Sequence, residues 1–137
     1  MSYVDWPGQL PLGVPELDED HRELVDTLNG LHDTLAAGTC GRDAASLLLR
    51  FVRLAREHFG REEALMAERG YPAAAEHGRE HGELLSVLSF MLDAVRTGQA
   101  GLDERTLDHV RRWLCGHIEN SDAALARFLV RRAVRQG

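Results

Sequence analysis

Seven side chains suited to metal chemistry stand where a helical core would hold leucines. His21, His58, Glu62, His77, His81, His117 and Asp122 all fall on or beside apolar stripes of helical period. One polar residue in such a core is ordinary and is satisfied by a hydrogen bond. Several of them, spread over every helix, are costly to desolvate unless they share a partner, and a metal centre is such a partner. His58 and Glu62 are four residues apart, as are His77 and His81, so each pair shares one helical face on successive turns. His117 and Asp122 are five apart, about 140° around an ideal α-helix. That angle suits a single ion poorly. It suits a carboxylate that bridges two ions, or a helix distorted at this point.

The elements that must position these groups are set off by glycine and proline, which cluster at residues 7–15, 38–41, 70–72 and 98–101 and leave four long segments. Residues 17–37 carry a stripe of Leu17, His21, Leu24, Leu28, Leu31 and Leu35. Residues 43–67 open on Asp43 as a capping residue and continue through Leu47, Phe51, Leu54, His58, Glu62 and Leu65. Residues 73–96 follow Pro72 and run His77, His81, Leu84, Leu88, Leu92 and Val95. The last segment opens near Asp103 with Leu107, Val110, Leu114 and His117, then Asp122, Leu125 and Phe128, with a bend or break expected near Asn120. Short loops between long amphipathic helices predict an all-α fold, an up-down-up-down antiparallel four-helix bundle over residues 17–132. Residues 1–16, with Trp6 and several prolines, read as an irregular N-terminal arm docked on it, and the chain as one domain. Antiparallel alternation puts all seven polar residues at one end of the bundle.

Composition narrows the function classes. At 137 residues there is room for one compact domain, and 44% hydrophobic with 28% charged residues describes a chain that folds. A net charge of −6 offers no general attraction to nucleic acid or anionic lipid. No run of about 18 apolar residues exists to span a membrane, and the N-terminus lacks the pattern of a secretory signal. Cys40 and Cys115 are the two cysteines and form no CxxC pair, so reduced thiols and a cytoplasmic location are expected, with a monomer as the default.

Five imidazoles and two carboxylates exceed a four-ligand structural zinc site and are too nitrogen-rich for calcium or magnesium. Two transition-metal ions fit better. If both are six-coordinate and share two carboxylates and one oxygen bridge, five histidines fill five of the six remaining positions, which leaves one for a small diatomic ligand such as O₂.

The chain resembles the hemerythrin family from about residue 6 to residue 129. The matching strings are Leu12-Gly13-Val14 with residues 18–21, residues 58–66, Gly70-Tyr71-Pro72, His77 and His81, and Trp113-Leu114 with His117-Ile118 and Asp122. The resemblance implies a non-haem diiron centre: His77, His81 and His117 on one iron, His21 and His58 on the other, Glu62 and Asp122 bridging, and O₂ landing on the iron with fewer ligands. Leu114 and Ile118 are candidates for an apolar cover over the bound gas, with ordinary core packing as the alternative for each. Two residues depart from the family pattern. Asp20 stands where Gln is frequent, and Leu125 where an aromatic is frequent, so altered tuning or packing around the metal is expected.

Other polar residues have plainer readings. His32 lies about 16 Å along the helix from His21 and cannot share its site. His109 reads as a surface residue, Glu57 and Glu63 as solvated charges, Cys115 as lying off the ligand face, and Trp6 and Trp113 as packing residues. The expected function is reversible O₂ binding for carriage, storage or delivery, with an oxygen-consuming protein as a possible acceptor. The alternatives are a diiron peroxidase or oxidase, or a sensor of O₂, redox state or nitric oxide, on the same scaffold. Five neutral imidazoles favour binding over the oxygen activation of carboxylate-rich diiron sites.

Overall fold

The computed structural model describes residues 3–4, 11–38, 42–98 and 102–136. Trp6 and Cys40 lie outside them. Helix α1 (Pro15–Ala36) starts two residues before the leucine stripe, because Pro15 occupies the first turn, where its missing N–H costs no hydrogen bond. Ahead of it, Gly13 adopts φ +82°, and the Leu12 and Gly13 N–H groups both donate to the Asp18 carboxylate, at 2.7 and 3.0 Å. A side chain at position 13 would strain this turn.

Helix α2 (Arg42–Arg69) holds Asp43 inside its first turn rather than at its cap. It ends in a tight turn in which Gly70, at φ +66°, lets the Tyr71 N–H reach back to the Met66 carbonyl. Helix α3 (Ala74–Arg96) follows at once. Helix α4 (Glu104–His117) is started by a capping box, in which Asp103 accepts from the Thr106 N–H while Thr106 accepts from the Asp103 N–H. It runs without a break in helical dihedrals into a π-helical turn (Ile118–Asp122) and then α5 (Ala123–Gln136). The bend expected near Asn120 is thus a widened turn inside one continuous rod, and the described elements form the expected four-helix bundle with no strand.

Two apolar clusters fill the interior. The larger joins Leu24, Leu28, Phe51, Ala55, Leu84, Leu88, Leu114 and Ile118 with their neighbours. The smaller joins Leu17, Met66, Leu125 and Leu129, with Tyr71 and Phe128 against it. Along every helix the seven polar residues fall between members of the two clusters, so a polar layer lies between two dry ones. Leu125 fills the smaller cluster at 0% exposure, a packing role an aromatic is not needed for. On α2 the expected line is buried at Phe51, His58 and Glu62, and the buried face extends beside it. Leu48, Val52, Phe59 and Met66 are buried while Leu47, Leu54 and Leu65 are only partly covered. This helix packs against both α1 and α3 and therefore buries a face wider than one heptad line.

The Val4 N–H donates to the Asn29 side-chain oxygen at 2.7 Å, and the Asn29 amide donates back to the Val4 carbonyl at 3.0 Å. The Tyr3 ring stacks on His32 at 3.9 Å, which accounts for that histidine without a metal.

Candidate metal centre

All seven polar residues are at most 5% exposed and converge on one place. α1 supplies His21, α2 supplies His58 and Glu62, α3 supplies His77 and His81, α4 ends on His117, and the π turn ends on Asp122. The wide turn resolves the five-residue spacing. The Ala123 N–H donates to the Ile118 carbonyl, five residues back, so this turn takes in an extra residue and carries Asp122 back toward the face of His117. Asn120 donates its amide to the Gly116 carbonyl at 2.8 Å, which gives a partner to a backbone acceptor at the mouth of this turn.

The carboxylate oxygens divide the imidazoles into two sets. Glu62 Oε1 and Asp122 Oδ1 face His77 Nε2 at 2.5 and 2.9 Å, Glu62 Oε1 lies 3.1 Å from His81 Nε2, and Asp122 Oδ1 lies 3.2 Å from His117 Nε2. The other two oxygens turn away: Glu62 Oε2 faces His58 Nε2 at 3.0 Å and Asp122 Oδ2 faces His21 Nε2 at 2.9 Å. The result is a five-residue donor group (Glu62, His77, His81, His117, Asp122) beside a four-residue group (His21, His58, Glu62, Asp122).

Several of these atoms sit at hydrogen-bond distance without hydrogen-bond alignment. Buried and unpartnered in that sense are Nε2 of His21, His58 and His77, Glu62 Oε2 and both Asp122 oxygens. Lone pairs that crowd together in a dry layer without sharing aligned hydrogens are what a pair of cations would satisfy. His81 Nε2 and His117 Nε2 are 3.1 Å apart, a separation that demands a proton or a cation between them.

Without metal, protons take the place of cations. Burial alone would lower the His77 pKa, but contacts with Asp122 and Glu62 outweigh it and raise the pKa from 6.5 to about 9. Burial would likewise raise Glu62, yet His58, His77 and His81 pull it down from 4.5 to about 2. Asp122 is held well below the usual carboxylate range by His117, His21 and His77, against the opposing effect of burial.

A second layer of groups fixes the rings. His58 Nδ1–H donates to Asp20 Oδ2 at 3.0 Å, and Asp20 is also gripped by Arg61. His117 Nδ1–H donates to Glu80 Oε1 at 2.8 Å, and the same oxygen accepts from the Ser121 hydroxyl at 2.6 Å. Because an ionised carboxylate can only accept, each of these rings carries a proton on Nδ1, and in the neutral form that binds metal its lone pair at Nε2 turns toward the centre. Phe59 stacks flat on His81 at 3.9 Å and Trp113 on His117 at 4.5 Å.

Glu80, Phe59 and Arg61 were not singled out by sequence reasoning. The available signal was modest: Glu80 lies one turn after His77, and Phe59 directly follows His58. Trp113 packs as expected, but against a ligand-type ring. Glu63 is 48% exposed, as a solvated charge should be, with Oε2 3.5 Å from His81 Nδ1 and no hydrogen-bond alignment. His109 is exposed, and Cys115 is half-buried, its thiol pKa raised by burial. Leu114 and Ile118 are buried, at 1% and 0% exposure, within the larger apolar cluster.

The family model for the hemerythrin HHE cation binding domain matches residues 12–129. The chain belongs to the hemerythrin family. It is 33% identical over 128 residues to a bacteriohemerythrin of Stenotrophomonas maltophilia, a match that covers 92% of this chain and 81% of that one. It is 34% identical over 125 residues to a bacteriohemerythrin of Methylococcus capsulatus, covering 89% and 93%. A crystal structure of wild-type hemerythrin superposes with a TM-score of 0.84 at 28% identity, covering 92% of this chain and 97% of that one. The hemerythrin match spans every residue of both donor groups.

Proposed function

We propose that this chain holds two non-haem iron ions in the two donor groups and binds O₂ reversibly, for carriage, storage or delivery. The carrying observation is the division of the carboxylates: Glu62 and Asp122 each turn one oxygen to two imidazoles and the other to one, so that together they face His77, His81 and His117 on one side and His21 and His58 on the other. His77, His81 and His117 would hold one ion, His21 and His58 the other, with both carboxylates bridging. A ferrous pair held there would supply the two electrons that reversible O₂ binding requires. The His21 and His58 side offers one imidazole fewer than the other, which would direct O₂ there.

The remaining work belongs to the chain's own residues. Leu114 and Ile118 cover the polar layer from the larger cluster, while Leu17, Met66 and Leu125 close it from the other side. Both exclude the water that would promote irreversible oxidation. Asp20 and Glu80 keep two of the rings in the tautomer that presents Nε2. Ile118 and Leu114 also serve as core.

The test is anaerobic reconstitution with ferrous iron, followed by cycles of O₂ addition and removal. Two irons per chain and a visible absorption that comes and goes with the gas are expected. A single ion per chain overturns the diiron assignment. Irreversible oxidation, or turnover on addition of a reductant, moves the chain to the oxidase or peroxidase alternative.

A further inference from the structure

Asp20 stands directly before His21 on α1, so one turn of helix supplies both a ring for the centre and a carboxylate for a ring on another helix. Its two oxygens are not equivalent. Oδ2 accepts from His58 Nδ1–H at 3.0 Å and from Arg61 Nε at 3.1 Å, while Oδ1 accepts from Arg61 Nη2 at 2.7 Å. The two-point grip is the strong form of an arginine–carboxylate pair. It forms a graded series from inside to outside, with the His58 side chain 1% exposed, Asp20 17% and Arg61 57%. The equivalent carboxylate on the other side, Glu80, is backed by the uncharged Ser121 hydroxyl instead.

We propose that Asp20 is a positioning residue for His58 and that Arg61 offsets the charge Asp20 presents, so the pair tunes the iron held on the two-imidazole side. The inference rests on the diiron function proposed above. An anionic acceptor on Nδ1–H strengthens Nε2 as a donor and favours the more highly charged state of the metal. A guanidinium on the same carboxylate draws part of that charge away. The two members of one salt bridge therefore push the centre in opposite directions, although both stabilise the same contact.

The experiment compares Asp20→Asn, Asp20→Ala and Arg61→Gln in iron-loaded protein, by the midpoint potential of the iron pair and by ferrous affinity in competition with a chelator. Asp20→Asn keeps an acceptor for His58 and loses the charge, so its potential rises while affinity changes little. Arg61→Gln leaves the carboxylate uncompensated, so its potential falls. Asp20→Ala removes the acceptor, and iron affinity drops by about 10–100-fold. Arg61 is exposed enough for its variant to fold if the other two do not, and a lowered potential in it alone, with two irons retained, supports the proposal. Potentials that move in the same direction in the Asn and Gln variants, or that do not move, show a bridge that only holds the helices and overturn it. Fewer than two irons in the unsubstituted chain would instead count against the function, which separates the two failures.

Discussion

The five-residue and four-residue donor groups share both carboxylates, yet the chain builds them differently. Three imidazoles gather on one side from α3 and from the end of α4, with His77 and His81 on successive turns of a single helix. The other side takes one ring each from α1 and α2. His77 touches both carboxylates, whereas His21 touches Asp122 alone and His58 touches Glu62 alone at the centre. A crowded, mutually neutralising set therefore lies beside a sparse one. In the proposed diiron centre, the asymmetry that would leave one ion short of protein ligands comes from which helices contribute the rings.

The severest way to break the comparison is to remove a residue that belongs to both groups. Glu62 faces His58, His77 and His81 and is 1% exposed. Glu62→Ala should lower bound iron below two per chain and leave buried imidazoles without their counter-charge, a loss of about 3–5 kcal/mol. Elemental analysis and denaturant unfolding measure the two effects, and unchanged iron stoichiometry would disprove the bridging role.

Unequal contacts predict unequal costs on the two sides. In the metal-free chain, His77→Ala strips both carboxylates of their shared proton and should cost about 3–5 kcal/mol, while His21→Ala, which touches one carboxylate, should cost less. Equal losses in urea unfolding would show that the two sides are not distinguished as the distances suggest.

Much of this was legible in the sequence because helical period and polar residues conflicted at specific positions. His58 with Glu62 and His77 with His81 declare a shared face by spacing alone, and the antiparallel order of four segments places every donor at one level. His117 and Asp122 were the exception. Their spacing signalled a distortion near Asn120 but not its kind, since a π turn depends on where one extra residue is accommodated within a continuous helix. The outer groups were harder still. Glu80 and Arg61 look like any solvated charge on a helix until the neighbouring helix brings His117 or Asp20 opposite them. Such pairings are tertiary facts that no local pattern encodes.

Acidity provides a gentler handle on the same asymmetry. In the metal-free protein the Glu62 pKa is depressed from 4.5 to about 2, so its stabilisation is complete above 4.5 and fades as the pH falls toward 2. His77 is raised from 6.5 to about 9, so its contribution is complete below 6.5 and fades as the pH rises through 9. Metal must displace the His77 proton, so iron affinity should climb between pH 6.5 and 9, and the gap in melting temperature between loaded and stripped protein should widen over that interval. Below it, iron should leave and that gap should close. A gap that stays constant from pH 6.5 to 9 would mean that His77 holds no competing proton.

The smallest expected effect concerns the turn that lets one aspartate serve both groups. Asn120 is exposed and touches no ring at the centre, but its amide occupies the Gly116 carbonyl at 2.8 Å where the helix widens. Asn120→Ala should cost about 0.5–1.5 kcal/mol, the net worth of one such hydrogen bond. Its distinguishing mark is local: amide hydrogen exchange should quicken across residues 116–123 while α1 and α2 keep their protection. Because Asp122 turns an oxygen to each group, a loosened turn should speed iron loss from both sides together, unlike the Asp20 and Arg61 variants, which act on one. Faster exchange confined to the four-residue group would show that the π turn and Asp122 are not coupled in this way.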